Sequence, residues 1–301
     1  MRFDGILFFP LTPFGPDGDV DLDVLAEHVA SGISHGAGGV FTACGTGEIH
    51  ALSAAEHTAV VARTVEVVAG AVPVVAGAGG SVATAAEQAR AAEAAGADAV
   101  LLLPPYLVAA PQRGIVEYVR TVAAAADLPI IVYQRGTLVL TPETAAEIAA
   151  LPAVVGIKDG VGDLGLMHRI VLAVRQVRGE DFTFFNGLPT AELTVPAYRG
   201  VGVPLYSSAA FAFVPEVADA FHSAIETGDP LAGRLLAEFF DPLVGLRDRS
   251  PGYAVSLVKA GARLRGVPVG GVRAPFVDPT PEEEAELAAL IETGLTLVGK
   301  G

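Results

Sequence analysis

The sequence is poor in cysteine and in charged residues, and it lacks a long apolar run. Cys44 is the single cysteine among 301 residues, so an intrachain disulfide and a cluster of metal-bound thiolates are both excluded. Only 18% of the residues are charged and 51% are hydrophobic, which predicts an ordered chain with a large core. A membrane helix needs about 18 consecutive apolar residues. The apolar run 100–107 is interrupted by Pro104-Pro105, and we expect no membrane segment.

Basic residues are also scarce. The 19 Lys and Arg residues face 34 Asp and Glu residues, and the net charge of −15 argues against a nucleic-acid partner. An anionic substrate would therefore need a local Arg, Lys, hydroxyl or backbone N–H site. Segment 1–5 has an acid before an apolar segment that Pro10 and Pro13 interrupt, which is not the pattern of a signal peptide. We expect a cytoplasmic protein.

Short β-rich runs alternate with longer Ala- and Glu-rich helical patterns along most of the chain. Eight strands with helical crossovers are the number found in a (β/α)8 TIM barrel, an α/β fold of about 250 residues. The even repeat favours this barrel over a doubly wound open sheet. The predicted strands are 6–9, 39–42, 72–76, 99–103, 129–133, 154–158, 182–186 and 201–206, and the intervening helical patterns lie near 21–35, 53–69, 81–95, 112–126, 141–150, 163–178 and 190–198.

More helical patterns follow the eighth strand than a barrel needs. They lie near 215–226, 230–247, 251–265 and 281–294, and one helix is enough to close the barrel. We therefore predict a barrel over 1–226 and a small C-terminal helical extension over 227–301.

Polar residues follow the predicted strands at the end where barrel enzymes build their sites. Among them are Arg135 after strand 5, the amide of Asn186 on strand 7, and the hydroxyls of Ser207 and Ser208 at strand 8. This convergence predicts a binding site for a polar substrate. The rim set contains Gly45, Thr46 and Gly47 after strand 2, Tyr133 and Arg135 at strand 5, Lys158 on strand 6, Asn186 on strand 7, and Ser207 and Ser208 on strand 8.

Lys158 ends the apolar run 154–157, which is typical of a strand buried on both faces. Burial of an ammonium is costly and lowers its pKa, which leaves a fraction as the free amine. A free amine attacks a ketone and forms a Schiff base. The alternative is a structural lysine that reaches the surface or pairs with Asp159.

Weaker motifs allow other functions. The glycines at 77 and 79 follow a strand, but Val82 stands where a dinucleotide fingerprint needs its third glycine. Asp159 and Asp163 could form a metal loop, although Asp163 is better explained as a helix N-cap. The six histidines have no metal-ligand spacing, so we expect no metal. Because the dinucleotide fingerprint is incomplete, we expect no organic cofactor either.

Several of these motifs together resemble the dihydrodipicolinate synthase/N-acetylneuraminate lyase superfamily. They are Thr46-Gly47-Glu48, Pro104-Pro105-Tyr106, Tyr133 and Gly156-Ile157-Lys158-Asp159, and the resemblance covers the whole chain. It implies a (β/α)8 barrel, usually a homotetramer, in which Lys158 forms a Schiff base with a 2-keto acid and Tyr133 shuttles protons. Thr46 would relay protons to Tyr133, and the Gly45–Gly47 turn would bind the substrate's carboxylate.

The chain departs from the synthases in two motifs. Gly45 stands where they have the first threonine of Gly-Thr-Thr-Gly-Glu, and Gln134-Arg135-Gly136 stands where they have an Asn-x-Pro-x-Arg pattern after the strand-5 tyrosine. Segments 8–14, 158–163, 186–192 and 206–209 resemble instead a branch of hexarate dehydratases. That likeness implies decarboxylating dehydration of 5-dehydro-4-deoxyglucarate to 2,5-dioxopentanoate. The Gly45–Gly47 turn would hold one carboxylate of this keto-acid dicarboxylate, and Arg135, Asn186, Ser207 and Ser208 would serve its remaining polar groups.

Two alternatives stay open. An aldolase of the same superfamily would cleave a 2-keto-3-deoxy sugar acid to pyruvate. A barrel that has lost catalysis would act as a binding or regulatory protein.

Overall fold

Eight parallel strands close into a barrel in the computed structural model, which describes residues 3–301. Each strand pairs with the next along the chain, and the eighth pairs with the first. The predicted (β/α)8 barrel is confirmed, and the open sheet is excluded. The strands are β1 (Ile6–Phe8), β2 (Ala37–Thr42), β3 (Val74–Gly80), β4 (Ala99–Pro105), β5 (Ile130–Gln134), β6 (Val154–Asp159), β7 (Thr183–Asn186) and β8 (Leu205–Ser208).

Helices follow every strand and form the outer layer. Capping chemistry sets several of their starts: Ser53 and Glu56 form the predicted capping box, and Pro142 occupies the first turn after the N-cap Thr141. The barrel helices are α1 (Leu22–Ser34), α2 (Ala54–Val68), α3 (Val82–Ala95), α4 (Gln112–Ala123), α5 (Pro142–Ala149), α6 (Leu164–Arg178), α7 (Val195–Gly200) and α8 (Pro215–Thr227).

The C-terminal extension packs on the barrel and shares its core. Phe239, Leu257 and Leu287 of the extension belong to the same buried apolar cluster as the helix-facing residues of the strands. The division at residue 226 stays a prediction. The extension contains α9 (Leu231–Leu235), a π-helical segment (Leu236–Phe240), α10 (Asp241–Arg247), α11 (Tyr253–Leu264) and α12 (Pro281–Leu297).

The predicted eighth strand was placed too early in the chain. It was expected at 201–206, but β8 begins only at Leu205. The backbone turns at Gly202, where φ is +87°, and Pro204 cannot donate a ladder hydrogen bond. The predicted helix at 190–198 is also split into a 3₁₀ turn (Ala191–Thr194) and α7, with proline in the first turn of α7.

Alternation along the strands separates two buried layers. Ile130 and Val132 of β5 face the helices, whereas Ile131 and Tyr133 belong to the cluster inside the barrel. The residues inside the barrel are mainly apolar, so a charge placed among them is desolvated. None of the helices in residues 3–301 is long and apolar enough to cross a membrane.

Candidate active site

Lys158 lies on the inner face of β6 near its carboxyl end. Its side chain is only 5% exposed, and its Nζ lies 4.3 Å from the ring centroids of Phe9 and Tyr133. The side chain of Lys158 therefore does not reach the protein surface, which excludes that alternative. Asp159 points to the other side of the strand, because successive side chains of a strand alternate, and it accepts hydrogen bonds from Gln134 and Tyr198.

The surroundings of Lys158 favour the free amine. Burial lowers its pKa to about 7, and the neighbouring Arg135 cation acts in the same direction. At neutral pH a substantial fraction of the side chain is therefore unprotonated and nucleophilic. The buried Cys44 thiol is close by, but burial raises its pKa to about 12, so it stays protonated.

Tyr133 is the cross-strand neighbour of Lys158 in the β5–β6 ladder. Its hydroxyl donates a 2.7 Å hydrogen bond to the Gly187 carbonyl, and Arg135 Nη1 lies 3.5 Å from the same oxygen. Burial raises the pKa of Tyr133, so the phenol holds its proton. A phenol beside an amine can pass a proton to and from a bound substrate.

Two glycines leave room for these side chains. A Cβ at Gly187 would lie 2.6 Å from Lys158 Cε, and a Cβ at Gly160 would lie 2.8 Å from the Tyr133 hydroxyl. Any larger residue at either position would displace the lysine stem or the phenol. The glycines in Asp159-Gly160 and Asn186-Gly187 thus have a packing role that their motifs did not disclose.

The turn Gly45–Gly47 follows β2 on the other side of the barrel mouth. Glu48 N–H donates to the Gly45 carbonyl, and the Thr12 hydroxyl donates to the Gly47 carbonyl at 2.7 Å. Within residues 3–301, the N–H groups of Thr46 and Gly47 have no protein acceptor. Free backbone N–H groups in a tight turn suit a carboxylate.

The structure brings most of the predicted residues to one cavity of about 430 Å³. Gly45, Thr46, Tyr133, Arg135, Lys158 and Ser207 line it. The proton relay from Thr46 to Tyr133 stays a prediction, because the Tyr133 hydroxyl donates to Gly187 in this structure.

Two predicted binding residues, Asn186 and Ser208, lie behind the cavity wall. The Asn186 amide donates to Ala191 and Thr194, and the Ser208 hydroxyl donates to Glu192. Gly47 contributes its backbone to the turn but is not a lining residue. The side chains of Asn186 and Ser208 are thus already hydrogen-bonded inside the protein, and they can influence the cavity only through their neighbours.

The sequence did not predict two parts of the cavity wall. These are His50, which lies beyond the turn after β2, and a group of residues from the C-terminal extension. His50 and Phe276 meet edge to face at the mouth, with ring centroids 4.5 Å apart, and Gly252, Ala254 and Val255 lie nearby. Four of these five residues belong to the extension, and nothing in their local pattern indicates a site. Phe9 was within reach of sequence analysis, since it follows β1 directly.

The two aspartates considered as a metal loop have structural partners. Asp163 is the N-cap of α6 and accepts from Leu166 N–H, as predicted. Asp159 accepts from Tyr198 at 2.5 Å and from Val161 N–H. Both carboxylates therefore hold the loop after β6.

These features define a (β/α)8 barrel with a desolvated lysine amine at its catalytic face. The chain belongs to the dihydrodipicolinate synthetase family, whose model matches residues 2–294. It is similar to solved dihydrodipicolinate synthases from Oceanobacillus iheyensis (28% identity, TM-score 0.88, 98% of this chain and 97% of that one) and Bacillus clausii (28%, 0.87, 96% of each).

Curated relatives are more similar in sequence than these structures. The chain is 56% identical to a probable 5-dehydro-4-deoxyglucarate dehydratase of Streptomyces coelicolor over 99% of its own length and 95% of that protein. A protein of the same name from Paracidovorax citrulli is 44% identical over 96% of this chain and 94% of the relative.

The desolvation of Lys158 predicts a pH-dependent effect on stability. The folded protein binds fewer protons than the unfolded chain between pH 7 and the ordinary lysine pKa of about 10.5. The cost of burying Lys158 is therefore largest below pH 7 and declines as the pH rises. Lys158→Met should increase the free energy of unfolding most at pH 6, and the gain should shrink towards pH 9.5.

Urea unfolding of the wild type and the variant at several pH values measures this difference. Lys300→Met, at the exposed C-terminal end of the chain, is the control and should show no such trend. A gain from Lys158→Met that is equal at pH 6 and pH 9.5 would contradict the lowered pKa.

Proposed function

We propose that this chain is a lyase that converts 5-dehydro-4-deoxyglucarate to 2,5-dioxopentanoate, water and CO2 through a Schiff base on Lys158. The observation that carries the proposal is the desolvated Lys158 amine beside Tyr133 in a cavity that also contains Arg135. The names of the curated relatives support the substrate, and the family supports the lysine chemistry.

Imine formation is the first step. With the carbons numbered from the carboxylate next to the ketone, the keto carbon is C2 and the methylene is C3. The free amine of Lys158 attacks C2, and the carbinolamine loses water to give an iminium ion. Tyr133, next to Lys158 across the β5–β6 ladder, donates the proton that the departing hydroxide needs. The water lost here is returned when the product imine is hydrolysed.

Dehydration follows because the iminium acidifies the adjacent C3 methylene. Loss of a C3 proton gives an enamine, and its electrons expel the C4 hydroxyl, which leaves as water after protonation. The product is an iminium conjugated with a C3–C4 double bond. Tyr133 is the group placed to carry these protons.

Decarboxylation uses the conjugated iminium as the electron sink. The C5–C6 bond breaks, CO2 leaves, and the electron pair flows through C4 and C3 to the nitrogen. Protonation of the resulting dienamine at carbon and hydrolysis of the imine release the amine, while the C5 enol becomes the aldehyde. The sum is one dicarboxylate and one proton giving one 2,5-dioxopentanoate, one water and one CO2.

We assign the carboxylate next to the keto group to the N–H groups of the Gly45–Gly47 turn, with Thr46 beside them. Arg135 is exposed at the mouth and can pair with the distal carboxylate by charge-assisted hydrogen bonds. Ser207 lines the cavity, and its hydroxyl, which donates to the Asn186 carbonyl at 3.3 Å, can accept a hydrogen bond from a substrate hydroxyl. Asn186 and Ser208 would act indirectly, by holding the β7 and β8 ends.

The first test combines reductive trapping with product analysis. With 5-dehydro-4-deoxyglucarate and sodium borohydride, intact mass should show a covalent adduct on the wild type and none on Lys158→Ala. Without borohydride, the wild type should release CO2 and 2,5-dioxopentanoate in equal amounts. An adduct with pyruvate and no CO2 from the dicarboxylate would favour the aldolase, and no adduct with any keto acid would contradict the lysine chemistry.

Arg135→Met tests the distal carboxylate site. A hydrogen bond to a charged group contributes about 1.5–3 kcal/mol, so KM for the dicarboxylate should rise roughly 10- to 100-fold. Trapping of pyruvate, which has no distal carboxylate, should keep its half-saturating concentration. The control is Arg113→Met, an exposed arginine on α4 away from the cavity, and an unchanged KM in Arg135→Met would contradict the assignment.

We also expect a homotetramer in the cytoplasm. The loop after β4 exposes apolar side chains, with Tyr106 74% and Leu107 80% exposed, and burial against another copy would remove them from water. Sedimentation equilibrium should give four times the 30.7 kDa chain mass. A single species at the chain mass would contradict this expectation.

A further inference from the structure

We propose that the C-terminal extension positions the carboxylate-binding turn of the active site through a buried ion pair between Glu48 and Lys259. Glu48 directly follows the Gly45–Gly47 turn, and Lys259 lies on α11. This inference rests on the proposed function for the role of the turn. It makes Glu48 and Lys259 positioning residues that do not touch substrate.

The pair is fully removed from water. Lys259 Nζ lies 2.7 Å from Glu48 Oε1, and both side chains are 0% exposed. Such pairs add little net stability, because the desolvation of two charges offsets their attraction. Their clearest contribution is to hold the surrounding backbone in one conformation, and here that backbone is the Gly45–Gly47 turn at the rim of the barrel.

The backbone at Glu48 needs such support. Its φ is +54°, a left-handed conformation that costs an ordinary residue about 1–2 kcal/mol. The same residue closes the turn, since its N–H donates to the Gly45 carbonyl. If its carboxylate lost its partners, this residue could relax to an ordinary conformation and move the free N–H groups of Thr46 and Gly47.

The extension reaches Glu48 at a second point. Arg273 N–H donates to Glu48 Oε2 at 2.9 Å, and Lys259 donates to the Gly271 carbonyl at 2.8 Å. Both oxygens of the carboxylate are therefore held by the extension. We call residues 269–273 the strap, because this segment joins α11 to the loops that follow β1 and β2.

The strap is also bound to the loop after β1. Phe14 N–H donates to the Val269 carbonyl at 3.0 Å, and Lys259 Nζ lies 3.8 Å above the Phe14 ring. A Cβ at Gly270 would lie 2.0 Å from the Phe14 carbonyl oxygen, so the two backbones are in close contact. Phe276, three residues beyond the strap, then reaches the cavity.

A double variant tests the inference without leaving a lone buried charge. Glu48→Gln/Lys259→Met removes both charges and nearly keeps both shapes. The matched control is Glu216→Gln/Arg265→Met, which removes another ion pair between barrel and extension, away from the rim turn. The readouts are the melting temperature, amide hydrogen exchange in segment 44–51, and the half-saturating pyruvate concentration in borohydride trapping.

The Glu48/Lys259 variant should melt within a few degrees of the control variant. Exchange in segment 44–51 should become about ten-fold faster, and half-saturating pyruvate should rise about ten-fold at an unchanged maximum of labelling. The control should leave both quantities at wild-type values. A purely stabilising pair would lower the melting temperature and leave half-saturation unchanged, which would overturn the inference.

Hydrogen exchange separates failure of this inference from failure of the proposed chemistry. If the wild type does not trap pyruvate, the lysine chemistry is wrong, but exchange in segment 44–51 still decides whether the pair holds the turn. Unchanged exchange in the double variant overturns the inference whatever the trapping shows. If the double variant does not fold, Glu48→Asp, which keeps both charges but shortens the reach of the carboxylate, should shift exchange and half-saturation in the same direction, and wild-type values there would overturn the inference.

Discussion

The desolvation of one amine is the constraint on which the rest of the structure depends. Lys158 lies among the apolar side chains that fill the barrel, and burial lowers its pKa to about 7. The free-energy cost of burying this amine is offset by the large apolar core, which stabilises the rest of the fold. A barrel also supplies the geometry, because it directs alternate residues of every strand to one interior and opens at one end.

The register of two strands then places the buried lysine beside a tyrosine. Tyr133 and Lys158 are direct partners in the β5–β6 ladder, so a one-residue slip would turn one of them towards the helices. Gly160 and Gly187 keep the space that these two side chains occupy. The pair that we propose to be reactive is thus positioned by regular secondary structure, and only its surroundings depend on loops.

Sequence periodicity was sufficient for the barrel and for the residues at strand ends, because both follow from alternation and strand order. It was insufficient for residues that meet through tertiary contacts. Lys259 pairs with Glu48 over 211 positions of sequence, and Phe276 meets His50 over 226. For Asn186 and Ser208 the position at a strand end was predicted correctly, but the side-chain direction was not. Local hydrogen bonds direct both side chains into the cavity wall.

The two proposed anion sites differ in rigidity, and this difference fits the reaction. The Gly45–Gly47 turn is held by Thr12 and by the fully buried Glu48, so it suits the carboxylate that remains in the product. Arg135 is exposed at the end of β5 and bonds only weakly to Tyr133, so it can release its partner. A carboxylate that departs as CO2 loses its charge, and a strong fixed ion pair would oppose that loss. In the proposed assignment, a rigid site binds the carboxylate that stays and a less restrained one binds the carboxylate that leaves, which suits decarboxylating dehydration.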